Sequence, residues 1–271
     1  MDKVVLINKK NMSTKITAEL VKKLRDSTGV SVMQCKNALE EAEGNMEKAL
    51  IILKKKSSSI AMKKAGRNAT EGIIIVKEND NKALLLVLHS ETDFVAKNSD
   101  FIVLANELAN MALSEGVEAM LAKSLDIINP IVQKVGEKIE LGKVEIVEGK
   151  ILGSYVHGGK SAVIVSLSTG TKELAKDIAM HIAAMKPAFT SSAEITEEDK
   201  KKVTEVFEKE VNESDKPEEI KKKMLEGKIS TYFKEQTLMD QTFIKNGDVT
   251  IATLLKNNNA QLVSFVYESI N

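Results

Sequence analysis

Apolar positions recur at helical spacing near the start of the chain: Leu20, Val21 and Leu24, then Val32, Cys35, Ala38, Leu39 and Ala42, then Met46, Ala49, Leu50 and Leu53. Thr28-Gly29 interrupts the first set and Gly44 ends the second, so residues 17–56 predict three short helices. Ser31 and Gln34 have capping-box spacing for the second helix, and Asn45 can cap the third. So small a unit has a thin core, which leaves the apolar stretch Val30 to Met33 partly available to a partner. Composition then shifts to Lys54-Lys55-Lys56-Ser57-Ser58-Ser59 and Lys63-Lys64-Ala65-Gly66-Arg67. With no aromatic residues interleaved, this basic run reads as a solvated connector rather than a phosphate-binding patch.

The middle of the chain repeats itself. Glu71-Gly72 opens an apolar strand (Ile73 to Val76), a turn at Asn79-Asp80-Asn81, a strand from Ala83 to Leu88, a loop, and a helix with Phe101, Leu104, Leu108 and Met111 on one stripe. Glu148-Gly149 opens the same series: Lys150 to Val156, a turn at His157-Gly158-Gly159, Ala162 to Leu167, a loop, and a helix bearing Leu174, Ile178, Ile182 and Met185. Leu104 to Ala109 aligns with Ile178 to Ala183, which predicts two α+β subdomains of common plan. Between them, Ile131 to Gly136 reads as a helix end and Ile139 to Val147 as a further strand. Thr196-Glu197-Glu198-Asp199 starts a charged helix with Val203, Val206, Phe207 and Val211 on one face, and Pro217 opens a second with Ile220, Met224, Tyr232 and Phe233. Two helices with so thin a stripe predict a protruding antiparallel pair. Thr250 to Ile270 returns to globular patterning and is expected to pack on the second subdomain.

The predicted fold class is α+β: a leader or tag over 1–12, a helical domain over 13–56, a linker over 57–70, a core N-subdomain over 71–147, a core C-subdomain over 148–194 and 237–271, and an inserted helical pair over 195–236. Lys+Arg and Asp+Glu both total 39 in 271 residues, giving zero formal charge, whereas binding to nucleic-acid phosphates calls for a positive excess. One cysteine excludes an internal disulfide framework, and no Cys/His cluster has zinc spacing. The run Val4 to Ile7 is too short for a signal peptide and nothing later approaches membrane-spanning length, so a cytoplasmic protein without membrane contact is expected. Met12-Ser13-Thr14-Lys15 looks like a second start, which leaves Met1 to Asn11 as an expression leader or a native extension.

Candidate chemistry is sparse. Gly153 with Gly159-Lys160-Ser161 nearly spells a phosphate-binding loop, but the spacing is too long and Ala162 to Val165 reads as a strand where a helix is required. His89, His157 and His181 lack a partnered nucleophile or ligand spacing, and Cys35 reads as core. His157, at a hairpin tip before two glycines, is either a partner contact or a plain turn residue. The remaining feature is Thr92-Asp93-Phe94-Val95, between the strand Ala83 to Leu88 and the polar Ala96-Lys97-Asn98-Ser99. Taken alone, Phe94 suits a cap on the core; on a strand-to-helix loop beside a carboxylate it suits a wedge. Neither catalytic triad nor metal cluster emerges, so the expected work is done by surfaces, without enzymatic chemistry or a cofactor.

Read together, these residues resemble the bacterial elongation factor Ts family. The matching segments are Val21 to Gly29, Cys35-Lys36-Asn37-Ala38-Leu39, Thr92 to Lys97, Gly153 to Gly158 and His181 to Pro187, in order across roughly residues 13–270. The resemblance implies a ubiquitin-associated-like N-terminal domain and a guanine-nucleotide exchange factor for elongation factor Tu in translation elongation. It further implies that Thr92, Asp93, Phe94 and Val95 disturb the partner's Mg²⁺ site. Arg25, Val32, Met33, Lys36, Val135, Gly136 and His157 become partner contacts, and a homodimer or a heterotetramer with the partner is compatible with it. Gln34 stands where the family often has an acid, and the chain stops before the C-terminal helical tail of some members. Rival readings are a helical-domain adaptor acting through Val30 to Met33, and an RNA-binding translation protein, against which zero net charge argues.

Overall fold

The computed structural model describes residues 16–270; the expected leader over 1–12 lies outside the described residues. In chain order the first elements are α1 (Ala18–Thr28), α2 (Val32–Glu41), α3 (Met46–Lys64), β1 (Glu71–Glu78), β2 (Lys82–Ser90), α4 (Asp93–Ala96), α5 (Ser99–Glu115) and α6 (Val117–Val135). Then come β3 (Ile139–Glu148), β4 (Ile151–His157), β5 (Ser161–Thr169), α7 (Lys172–Met185), α8 (Glu197–Asn212) and α9 (Glu218–Gln236). The chain ends with β6 (Thr242–Phe243), β7 (Asn246–Thr250), α10 (Ile251–Asn257) and β8 (Gln261–Ser269). This is an α+β protein. Its sheets run β1-β2-β3, β4-β5-β8 and β6-β7. The chain forms two compact units, one ending at Gly72 and resuming over Leu88–Gly142, the other comprising Ile73–Val87 and the chain from Lys143. The division therefore falls inside strands, and residues 71–147, expected as one subdomain, belong to both units.

In the first unit, α1, α2 and α3 enclose a small core of Leu24, Cys35, Ala38, Leu39 and Ala49, all fully buried. Gly29 ends α1 at φ 66, the left-handed conformation that glycine adopts without a Cβ penalty. The Ser31 hydroxyl accepts from the Gln34 N–H at 3.3 Å as its spacing predicted. Gln34 does not complete a capping box; its side-chain oxygen instead accepts from Gln133 Nε2 of α6 at 3.3 Å. Val30 is core, while Ser31, Val32 and Met33 are exposed, so only Val30 of the Val30 to Met33 stretch is closed to a partner.

The connector expected over 57–70 is corrected as far as Lys64, because α3 runs unbroken through it. The composition shift at Lys54 falls inside the helix and does not mark its end. Ser57 is buried and donates to the Lys54 carbonyl at 2.7 Å, Lys54 pairs with Asp126 at 3.0 Å, and Asn129 donates to Ser58 at 3.3 Å. Serines and lysines are acceptable helix formers when the neighbouring α6 supplies partners. In α5, Phe101, Leu104 and Leu108 are buried as expected, with Ala105, Ala109 and Ala112 beside them.

In the second unit, β5 is buried on both faces, which explains its continuous apolar run. Ala162 and Ile164 join Ile74, Leu85 and Val147 in one core cluster. Val163, Val165 and Leu167 join Leu174, Ile178 and Ile182 of α7 in the other. The layers are thus sheet, sheet and helix. Strand β8 pairs antiparallel with β5, Phe265 opposite Val165, so the C-terminal segment does pack here. Helices α8 and α9 form the charged pair, and Thr196 with Asp199 makes a reciprocal capping box. Its expected stripes are only partly realised: Val211 is buried, but Val206 and Ile220 are exposed. Phe207, Tyr232 and Phe233 stack edge to face, with centroids 5.9 and 5.3 Å apart. Among the described residues no helix is long and apolar enough to cross a membrane.

Candidate site: a hydrogen-bonded turn presenting Phe94

Strand β2 ends at Ser90, and the Ser90 hydroxyl donates to the Thr92 carbonyl at 2.9 Å. Thr92 then caps the single helical turn α4, its hydroxyl oxygen accepting from the Val95 N–H at 3.4 Å. Val95 and Ala96 turn inward, 9% and 6% exposed, and between the cap and this apolar foot Phe94 projects with 82% of its surface in solvent. Phe94 thus stands exposed on a helical turn between β2 and α5, where a loop was expected, and does not cap the core. Val95 is an anchor of the turn rather than part of its accessible surface. Asp93 is half-buried and accepts from Lys97 at 2.7 Å, and the Asp93 carboxylate holds the Lys97 ammonium above its ordinary pKa.

A second segment braces this turn from 45 residues away in sequence. Helix α6 ends at Gly136, φ 78, whose N–H donates to the Val132 carbonyl at 2.9 Å while its own carbonyl accepts from Lys64 of α3. The next residue, Glu137, uses both carboxylate oxygens on Thr92: one accepts the backbone N–H at 3.0 Å, the other the hydroxyl at 2.8 Å. In return the Lys138 N–H donates to Glu91, whose carboxylate also accepts from Arg67 at 3.2 and 3.3 Å. The Lys138 N–H chiefly, and then Arg67, keep the Glu91 carboxyl below its usual pKa against the opposing pull of burial.

The residues that resemblance assigned to partner contact are distributed over both units. Arg25, Val32 and Lys36 line one shallow cleft between α1 and α2 with Ile16, Val21 and Lys22, and Met33 stands exposed on α2. This region abuts the end of α6: a Cβ on Gly29 would come within 2.8 Å of Lys134 Cε, and Gln34 bonds Gln133. Lys134 also pairs with Asp100 of α5 at 2.6 Å. Val135 is half-buried and Gly136 exposed. His157 belongs to the second unit. It is exposed at the end of β4, and its Nδ1 lies 3.2 Å from the Tyr155 hydroxyl. Gly158 and Gly159 have φ 58 and 70, both positive as a type I′ hairpin turn requires, and Lys160 closes the turn on the His157 carbonyl at 3.0 Å. The tip is held rigidly, since Gly159 and Lys160 carbonyls accept from Ile74 and Ile270 at 2.8 and 2.7 Å.

Glu91, Glu137, Lys138 and Arg67 escaped the reading of the sequence. Their bonds join segments far apart in the chain, and no local periodicity encodes such pairs. His181 and Gly153, flagged in the sequence, have structural roles. His181 is fully buried, its Nδ1 accepting from the Ile244 N–H at 3.2 Å and its Nε2 donating to Gln241 at 3.0 Å. Among the described residues no group of three or more His, Cys, Asp or Glu could hold a metal ion.

A family profile described as Elongation factor TS matches residues 91–270. The elongation factor Ts of Marinobacter nauticus is 41% identical over 259 residues, covering 93% of this chain and 89% of that protein. That of Hahella chejuensis is 40% identical, covering 93% and 90%. The protein of the same name from Clostridioides difficile is 41% identical, covering 89% and 86%.

Proposed function

This chain belongs to the elongation factor Ts family and is a translation elongation factor, and we propose that its task in elongation is to release GDP from elongation factor Tu in the cytoplasm. The observation that carries this reading is the 82% exposed ring of Phe94 on a turn whose cap, Thr92, is held by Glu137 and whose Val95 and Ala96 are buried. A GTPase holds GDP through backbone amides and a Mg²⁺ that bridges phosphate oxygens to protein side chains. Phe94 enters between elements of the partner that position the magnesium ligands, and Asp93 exchanges its solvent-exposed Lys97 for partner donors while repelling phosphate. The chain acts by binding and catalyses no covalent step. Burying a Phe side chain yields about 1.5–3 kcal/mol, energy that the free protein leaves uncollected and the complex can gain.

Reciprocity sets the cycle. If this chain weakens GDP binding by some factor, GDP weakens this chain's binding by the same factor, so an incoming nucleotide expels it. A buried aromatic anchor supplies about 2–4 kcal/mol as an interface hot spot. The remainder comes from the Arg25, Val32, Met33 and Lys36 region, from Val135 and Gly136, and from His157. The test is release of labelled GDP from elongation factor Tu with and without the chain. Phe94→Ala is expected to lower stimulated release by about 30- to 700-fold, the hot-spot range converted at 1.4 kcal/mol per tenfold, and His157→Ala to lower it less. A wild-type chain without effect overturns the exchange function; normal release by Phe94→Ala overturns the wedge.

A further inference from the structure

We propose that Glu137 is the positioning residue of the Phe94 turn, fixing the ring in its projecting geometry before any partner arrives. The inference rests on the exchange reading for its consequence and on the free protein's geometry for its substance. A single turn of helix cannot hold itself: nucleation fixes several dihedrals for very few internal bonds. Helix α4 spans four residues, so its shape must be imposed from outside. Its far end is imposed by burial of Val95 and Ala96. Its near end is imposed by Glu137, which grips the N–H and the hydroxyl of Thr92 at once, at 3.0 and 2.8 Å.

The bond to the hydroxyl does more than tether. It orients the Thr92 proton toward the carboxylate and so leaves a lone pair for the Val95 N–H, the cap that starts the turn. Bonds to an ionised acceptor are the stronger kind, and two from one residue fix orientation as well as distance. Glu137 is itself held. It follows the left-handed Gly136, and its neighbour Lys138 is bonded back to Glu91, the residue before Thr92. Segments 91–92 and 137–138 are thus cross-laced, and Glu137 links the turn directly to Val135 and Gly136. With the order already established, binding does not bear the entropy of arranging the turn. Without Glu137 the turn is competent for only a fraction of the time, and apparent efficiency falls by that fraction.

The sequence has no tryptophan, so Phe94→Trp places a single indole, excitable apart from the tyrosines, at the tip. In the free chain its time-resolved anisotropy is expected to be dominated by overall tumbling, and adding Glu137→Ala is expected to introduce a fast local component. In GDP release from elongation factor Tu, Glu137→Ala in the otherwise wild-type chain is expected to lower kcat/KM about tenfold, as for a turn competent about one tenth of the time. Glu137→Gln, which keeps one acceptor, should fall between. In a Phe94→Ala background Glu137→Ala should cost far less, because no ring and only Asp93 is left to position. A general structural role would instead give the same tenfold loss in that background, and that result overturns the proposal. So does an indole equally ordered with and without Glu137, or a mobile indole with undiminished exchange. Should Glu137→Ala fail to fold by circular dichroism, Glu137→Gln carries all three measurements. If the wild-type chain does not accelerate GDP release, the exchange reading falls, while the anisotropy of the free chain still decides the role of Glu137.

Discussion

At Gly153 a hydrogen stands where any side chain would collide. A Cβ there would lie 2.4 Å from the backbone nitrogen of Lys176 and 2.6 Å from the carbonyl carbon of Ala175, so β4 meets α7 at backbone distance. Neither of those atoms can swing aside as a flexible side chain would. Gly153→Ala is therefore expected to destabilise the protein by about 1–3 kcal/mol, the range for forcing extra volume into a packed core. Chemical denaturation measures this, and an unchanged midpoint would mean that α7 can retreat from the sheet. The same glycine invites a nucleotide-binding reading in the sequence. The strand that follows it decides the matter, since Ala162 to Val165 lie in β5 where a phosphate-binding loop would open into a helix.

Elements divide into those that local pattern encodes and those that it does not. The repeat was legible because burial enforces it: Leu104, Ala105, Leu108 and Ala109 of α5 and Ile178, Ala179, Ile182 and Ala183 of α7 are all buried, in the register that the aligned sequences predict. Phe94 was legible for the complementary reason, an apolar residue flanked by turn formers. The second half of α3 was not, because Lys and Ser say little about whether a helix continues, and the partners that settle it, Asp126 and Asn129, lie on α6. The brace on the turn was hidden in the same way, since nothing around Glu137 points to Thr92. Ser57→Pro separates the two accounts of α3: a connector would tolerate proline, whereas a helix interior loses about 3 kcal/mol or more. The expected outcome is a clear drop in the denaturation midpoint with loss of helical ellipticity; indifference to the substitution would restore the connector.

Across the whole molecule, stability is expected to depend on pH through a residue that is not among the proposed contacts. Burial holds the His181 imidazole below its ordinary pKa, and both ring nitrogens are already committed, one as acceptor and one as donor. Between that lowered value and about 6.5, the ordinary value, the unfolded chain binds the proton more readily than the folded one. Stability is thus full above about pH 6.5 and declines as pH falls below it. Denaturation midpoints taken from pH 7.5 to 5.5 should show this decline, and His181→Gln should flatten it; an equally steep decline in that variant would assign the titration elsewhere. Cys35, the sequence's single thiol, is fully enclosed by α1, α2 and α3. Under native conditions a maleimide dye would therefore find only a cysteine introduced on the surface, so distance reporters can be attached singly without first removing the native sulfur.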